Sequence, residues 1–153
     1  LVALWDRAAL DAAIADCPWV AEELRSVADG FQALAGASMG PLSDHLDETL
    51  LRMVTERCTV KVLQPGDVVC QQGKAVPGMH IVGAGRLELV DGDVVVGELG
   101  PGEILFGSEI LSAAPAPRTA RAGRGGALVL VASRMAAHEL MMSVPPLLEL
   151  LAM

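Results

Sequence analysis

The spacing of apolar residues changes twice along the chain, and each change marks a change of secondary structure. Between residues 6 and 36, Leu10, Ile14, Val20, Leu24 and Val27 recur at helical intervals in an alanine-rich stretch that Cys17-Pro18 interrupts, which predicts two helices. Gly36-Ala37-Ser38-Met39-Gly40-Pro41 reads as a linker. Another helix is expected after it, with Ser43 as its cap, Asp44 and Asp47 in its first turn, and Leu46, Leu50, Leu51 and Val54 along its apolar face. From Thr59 onward the apolar residues fall into short β-branched runs separated by Gln-Pro-Gly-Asp, Gly-Ala-Gly, Asp-Gly-Asp and Gly-Pro-Gly-Glu. Regular short strands between turn signals predict an antiparallel sandwich or roll. Two more strands are expected at 118–123 and 126–132, followed by helices over Ser133 to Ser143 and Leu147 to Met153.

The two ends of the chain resemble each other. Leu1, Val2, Arg7, Ala9, Pro18, Glu22 and Leu24 match Leu128, Val129, Arg134, Ala136, Pro145, Glu149 and Leu151 at one constant offset (145 − 18 = 127). Two strand-then-helix segments rich in alanine and leucine can share letters by chance. The preferred reading makes residues 1–36 the last strand and closing helices of a preceding copy of the domain that residues 37–153 form. A start at Leu1 with no initiator Met fits a cut in a longer protein.

Composition narrows the function. The chain has 153 residues, 52% of them hydrophobic, enough for one domain core plus an appendage. With 19 acidic against 11 basic residues the net charge is -8, which disfavours a phosphate polyanion, so this segment is not expected to contact nucleic acid. Cys17, Cys58 and Cys70 lack C-x-x-C spacing and read as reduced core residues, which favours the cytoplasm. No apolar run reaches membrane-spanning length, so this segment is not expected to insert, whether in a soluble protein or in the cytosolic part of a membrane protein. His45, His80 and His138 lack metal-ligand spacing and read as surface or boundary residues. Met141, Met142 and Met153 read as helix-packing residues. No nucleophile–base set, paired carboxylates or Gly-Lys-Ser/Thr loop appears, so no catalytic residues, metal or cofactor are expected and the chain is not read as an enzyme.

Residues 50–122 resemble the cyclic nucleotide-binding family. The matching motifs are Val62-Leu63-Gln64-Pro65-Gly66-Asp67-Val68-Val69 with Gln72-Gly73, then Met79 to Val82, Gly85-Arg86-Leu87-Glu88-Leu89 and Leu99-Gly100-Pro101-Gly102-Glu103. The resemblance implies an α+β fold, an antiparallel eight-stranded, jelly-roll-like β-roll flanked by N- and C-terminal helices. It also implies a phosphate-binding cassette in Phe106-Gly107-Ser108-Glu109-Ile110-Leu111-Ser112-Ala113-Ala114-Pro115-Ala116-Pro117-Arg118-Thr119-Ala120. In such a cassette a short helix offers free N–H groups to a cyclic phosphate, an arginine offers a rigid charged fork, and a carboxylate accepts from the ribose hydroxyl. The ligand-binding residues it implies are Gly107, Ser108, Glu109, Arg118, Thr119 and Ala120, with Arg118 on the phosphate and cyclic AMP or cyclic GMP as ligand.

Two positions depart from the family pattern. By order, the residue after Gly107 should be the glutamate, and it is Ser108; by spacing, Glu109 stands nine residues before Arg118, as the family's glutamate commonly does. Glu109 is the favoured ribose contact, and Ser108 in that role would weaken the site by about 1.5–3 kcal/mol. Arg121 replaces the small polar residue of many relatives; it is either a solvated surface charge or a second cation at the pocket mouth. In similar cassettes a threonine directly after the arginine can bond both the phosphate and the exocyclic amine of a syn guanine, so the resemblance implies through Thr119 that cyclic GMP is tolerated or even preferred. Leu147 to Met153 would be a partial lid. The implied function is a sensor whose final helices repack over the ligand and shift an effector outside these residues, a channel, transporter, kinase or transcription factor. The alternative is a roll that lost its ligand and serves as an interaction module.

Overall fold

Two short carboxylates start the N-terminal helices. In the computed structural model, which describes residues 4–153, Asp6 accepts a hydrogen bond from the Ala9 amide at 2.7 Å and opens α1 (Arg7–Asp16). The helix stops where Pro18 disfavours a helical Cys17, and α2 (Trp19–Ala37) restarts at once. A break at Cys17-Pro18 is thus present as expected. The strand expected over the first residues lies partly outside the described ones; Leu4 to Asp6 are irregular. After α3 (Pro41–His45), Asp47 accepts from the Leu50 amide at 2.9 Å and opens α4 (Glu48–Glu56).

Here the structure corrects two expectations. Gly36 and Ala37 are no linker but the buried last turn of α2, because an alanine-rich helix continues through Gly36 once that glycine has a packing partner. Ser43 caps nothing; its hydroxyl donates to the Gly40 carbonyl at 2.8 Å within α3, and Asp47 does the capping. The expected division between residues 36 and 37 therefore falls inside α2, whose Ala33 and Ala37 sit in one core with Met79, Ile81 and Leu130.

Five strands form the sheet: β1 (Thr59–Leu63), β2 (Val68–Cys70), β3 (Gly78–Asp91), β4 (Val94–Leu99) and β5 (Thr119–Ser133). All pairings are antiparallel, in the order β1-β5-β3-β4, with β2 also on β5. The antiparallel roll with flanking helices is as expected, but the described residues hold five strands where eight were expected. Part of the difference is that β3 and β5 each run unbroken through a bend. Gly85 and Gly126 take φ of 73° there, and the ladder between the two strands shifts register at 82–84 and at 85–87. The strands expected at 118–123 and 126–132 are the two arms of β5.

The helices α6 (Arg134–Ser143) and α7 (Pro145–Leu151) follow directly, with Ser133 accepting from the Ala136 amide at 3.2 Å. One apolar cluster lies between the helices and the sheet, and a second fills the roll around Val82, Leu87, Leu105, Ala120 and Val129. Of the expected helix-packing methionines, Met141 packs against the first cluster, Met142 is exposed because only the inner stripe of α6 meets the core, and Met153 is exposed beyond the end of α7. His80 is no surface residue. It is buried on β3, where its Nδ1–H donates to the Gly78 carbonyl at 2.9 Å, and burial lowers its pKa.

The bend also sets how α2 docks. A Cβ at Gly36 would lie 1.5 Å from the Gly83 carbonyl oxygen, so helix and strand touch backbone to backbone. Gly30, one face away on the same helix, has nothing within 4 Å of that position. Gly36→Ala should therefore destabilise the chain by about 2 kcal/mol or more through overpacking. Gly30→Ala should stabilise it by about 0.5–1 kcal/mol through helix propensity. Thermal melts of the two variants check the pair, and equal shifts of the same sign would contradict this packing.

Candidate functional site

The segment between β4 and β5 is pinned at both ends and left to form a helix in its middle. At its start the Gly102 amide donates to the Val82 carbonyl at 2.8 Å, the Val82 amide to the Glu103 carbonyl at 3.0 Å, and the Leu105 amide to the His80 carbonyl at 2.9 Å. At its end the Ala116 amide donates to the Lys74 carbonyl and the Gly73 amide to the Ala116 carbonyl, both at 2.8 Å. Between these anchors lies α5 (Gly107–Ser112), entered through Phe106 and left through Ala113. Both flanking residues are left-handed, at φ of 50° and 55°. That conformation strains a residue bearing a Cβ, and it persists at Phe106 because the side chain packs against two clusters at once, the roll interior and a small group of Cys70, Val76 and Ala116. Burial raises the pKa of the Cys70 thiol in that group, and of Cys58 to about 12, so both remain protonated and inert near neutral pH. Cys17 is partly buried at the α1–α2 junction and belongs to none of the core clusters.

Of the six expected ligand residues, Gly107, Ser108 and Glu109 form the first turn of α5, Thr119 and Ala120 open β5, and Arg118 directly precedes that strand. Gly107 is required to be small, since a Cβ there would lie 2.8 Å from the Leu151 carbonyl oxygen of α7. Ser108 is exposed and its hydroxyl donates to Glu109 Oε2 at 3.0 Å, so the two competing residues share one hydrogen bond. Both line a cleft of about 270 Å³ with Gly102, Glu103, Leu150 and Leu151. The Thr119 hydroxyl accepts from the Gln72 amide at 3.1 Å, and Ala120 is fully buried.

Arg118 is not among the residues lining that cleft. Its guanidinium faces Asp91, with Nη1 3.6 Å from Oδ2, and no ion pair joins it to Glu109 among the described residues. Both side chains of the Arg118–Asp91 pair are about half-exposed, so the pair contributes at most about 1 kcal/mol. Asp91 was read from the sequence only as part of a turn. Its role follows from register: Val90 pairs with Thr119, so the residue after the first and the residue before the second meet across the strand ends. Arg121 belongs elsewhere. Its Nε donates to Glu88 Oε2 at 2.9 Å on the neighbouring strand, three residues along from Arg118, which makes it one half of a partly buried ion pair.

The strain at the two ends of α5 gives a direct test of this local geometry. Ala113 is exposed and left-handed at the C-terminal end, where glycine has no Cβ penalty. Ala113→Gly should stabilise the chain by about 1 kcal/mol, and Ala113→Val should destabilise it, read as opposite shifts of melting temperature. No difference between the two would contradict the left-handed cap.

Comparison with known proteins then adds the following. The model of the cyclic nucleotide-binding domain matches residues 60–143, more than half of the chain. No curated protein sequence matches it. Among solved structures, the Thermus thermophilus catabolite activator protein aligns over 76% of this chain and 55% of its own, with a TM-score of 0.62 and 19% identity. The N-terminal domain of a transcriptional regulator from Streptomyces coelicolor A3(2) aligns over 74% and 81%, at 0.60 and 18%. PKAR CBD2, solved with Sp-2Cl-cAMPS bound, aligns over 81% and 84%, at 0.66 and 14%. At these identities the likeness is one of fold, and the chain spans little more than half the length of the Thermus protein. No helix among the described residues is long and apolar enough to cross a membrane.

Proposed function

Because the chain belongs to the cyclic nucleotide-binding domain family, we propose that it is a non-catalytic regulatory module that binds cyclic AMP or cyclic GMP through the segment from Gly107 to Ala120. The observation that carries this reading is the state of Arg118. Its guanidinium lies at the mouth of β5, half-exposed and held by one long ion pair that a phosphate monoanion can replace at little cost. Glu109, on the first turn of α5, accepts from the ribose hydroxyl in this reading, and Ser108, whose hydroxyl already donates to that carboxylate, orients it. The Thr119 oxygen accepts from Gln72, so the hydroxyl proton is free to donate to a phosphate or to a guanine.

Signal output follows from the contact of α5 with α7. Gly107 lies against Leu151, so a shift of the α5 turn on ligand entry would displace the final helix. The effector that reads this shift would be a channel, transporter, kinase or transcription factor in the same cytoplasmic protein. A second reading, a roll that binds no nucleotide and serves as an interaction module, is favoured by one observation. Arg118 does not line the cleft beside Ser108 and Glu109.

Calorimetric titration separates the two. Cyclic AMP or cyclic GMP should bind, and Arg118→Ala should weaken binding by roughly 10- to 100-fold, the worth of a charged hydrogen bond. Glu109→Ala should weaken it more than Ser108→Ala does. Absence of heat with either nucleotide at millimolar concentration would leave the interaction module as the standing account.

A further inference from the structure

The two helical ends of the chain are built alike in detail, beyond their shared letters. α1 and α6 have the same length, 10 residues, and start and stop at equivalent positions, Arg7 to Asp16 and Arg134 to Ser143. Each is opened by a short polar side chain that accepts from the third amide onward, Asp6 from Ala9 and Ser133 from Ala136. Each ends in the same unusual backbone conformation, φ −135° and ψ 83° at Cys17 against φ −128° and ψ 80° at Val144. The closing bonds are equivalent as well, Cys17 amide to Ala13 carbonyl and Val144 amide to Leu140 carbonyl. A proline follows in both, Pro18 and Pro145, and the next helix begins.

What differs is burial. In α6 and α7 the residues turned to the roll are Ala137, Leu140, Val144, Leu147 and Leu151, all at most 3% exposed. Their counterparts at the constant offset are Leu10, Ala13, Cys17, Val20 and Leu24, and every one is apolar. None is fully buried: Leu10, Ala13, Cys17 and Val20 are partly buried, and Leu24 is 46% exposed. Leu10 with Ala13 replaces Ala137 with Leu140, so even the summed volume of the first two is retained in reversed order. Below Leu24 the exposed stripe continues through Val27, Phe31 and Leu34, whereas the opposite side of the same helix packs Ala33 and Ala37 on this chain's own roll.

We propose that α1 and the first turns of α2 are a second closing unit of the kind α6 and α7 form, and that the occupant of their apolar face is another β-roll of this fold, preceding Asp6 in the same polypeptide. Chain direction supports that placement, because β5 runs straight into Ser133 and α6. α2 would then lie between two rolls, its N-terminal part closing the first and its C-terminal turn seated on the second through Gly36. This inference does not depend on nucleotide binding.

The chain's own roll serves as the probe. In a variant of the full chain, residues 134–151 are replaced by residues 7–24, with and without Leu10→Ala plus Ala13→Leu in the grafted copy to restore the original order of sizes. At least one graft should melt cooperatively within about 10 °C of the unaltered chain. A graft carrying Ala13→Asp and Val20→Asp should lose that transition and bind a hydrophobic dye. If neither apolar graft melts better than the aspartate control, α1 and α2 are not a closing unit for this fold, and their exposed face serves some other partner.

Discussion

The antiparallel ladder between β3 and β5 is the constraint on which the rest of the molecule depends. It runs from Gly78 opposite Ser133 at one end to Val90 opposite Thr119 at the other. At the first end Ser133 caps α6; at the second, Arg118 and Asp91 leave the strands side by side. A single pairing therefore fixes the distance between the candidate anion contact and the start of the closing helices. The ladder can curve only because glycines occupy its bends, where register shifts and left-handed backbone would otherwise be resisted. The same bend brings Gly83 close enough to Gly36 for α2 to dock without side chains between them.

Against this rigid frame the candidate site is held loosely. α5 is tied at both ends by backbone hydrogen bonds but is bounded by two left-handed residues, so its conformation depends on how well Phe106 stays packed. Arg118 is held by an exposed ion pair of small worth, and Ser108 and Glu109 satisfy each other. Such groups can exchange partners without cost to the core. Gly107 and Leu151 are in direct contact, with no room for a Cβ between them.

How much of this was legible in the sequence depended on how local the physics was. The period change at Thr59, the break at Cys17-Pro18 and the turn glycines are local signals, and the helices and the roll follow them. Gly36 could not be read correctly, because a glycine that docks a helix onto a distant strand looks the same as one that ends a helix. Ser43 lost the cap to Asp47 because it falls inside the separate short helix α3, where its hydroxyl donates to the Gly40 carbonyl, while Asp47 directly precedes α4. Part of the difference in strand count arises where β3 and β5 pass through their bends without stopping. Within the site, Glu109 and Ser108 were visible as rivals, but Asp91 was not, since its meeting with Arg118 is set by the register of strands far apart in sequence.

The central claim is that the segment from Gly107 to Ala120 receives a cyclic nucleotide at Arg118 and passes the change to α7. The most direct measurement is an amide-resolved NMR titration of the chain with cyclic AMP and with cyclic GMP. Shifts should appear first at Gly107 to Ala113 and at Arg118 to Ala120, with coupled changes at Leu150 and Leu151 and a changed Arg118 Nε–H resonance as Asp91 is displaced. A spectrum that stays unchanged up to millimolar nucleotide, or one whose shifts avoid these residues, would contradict the account.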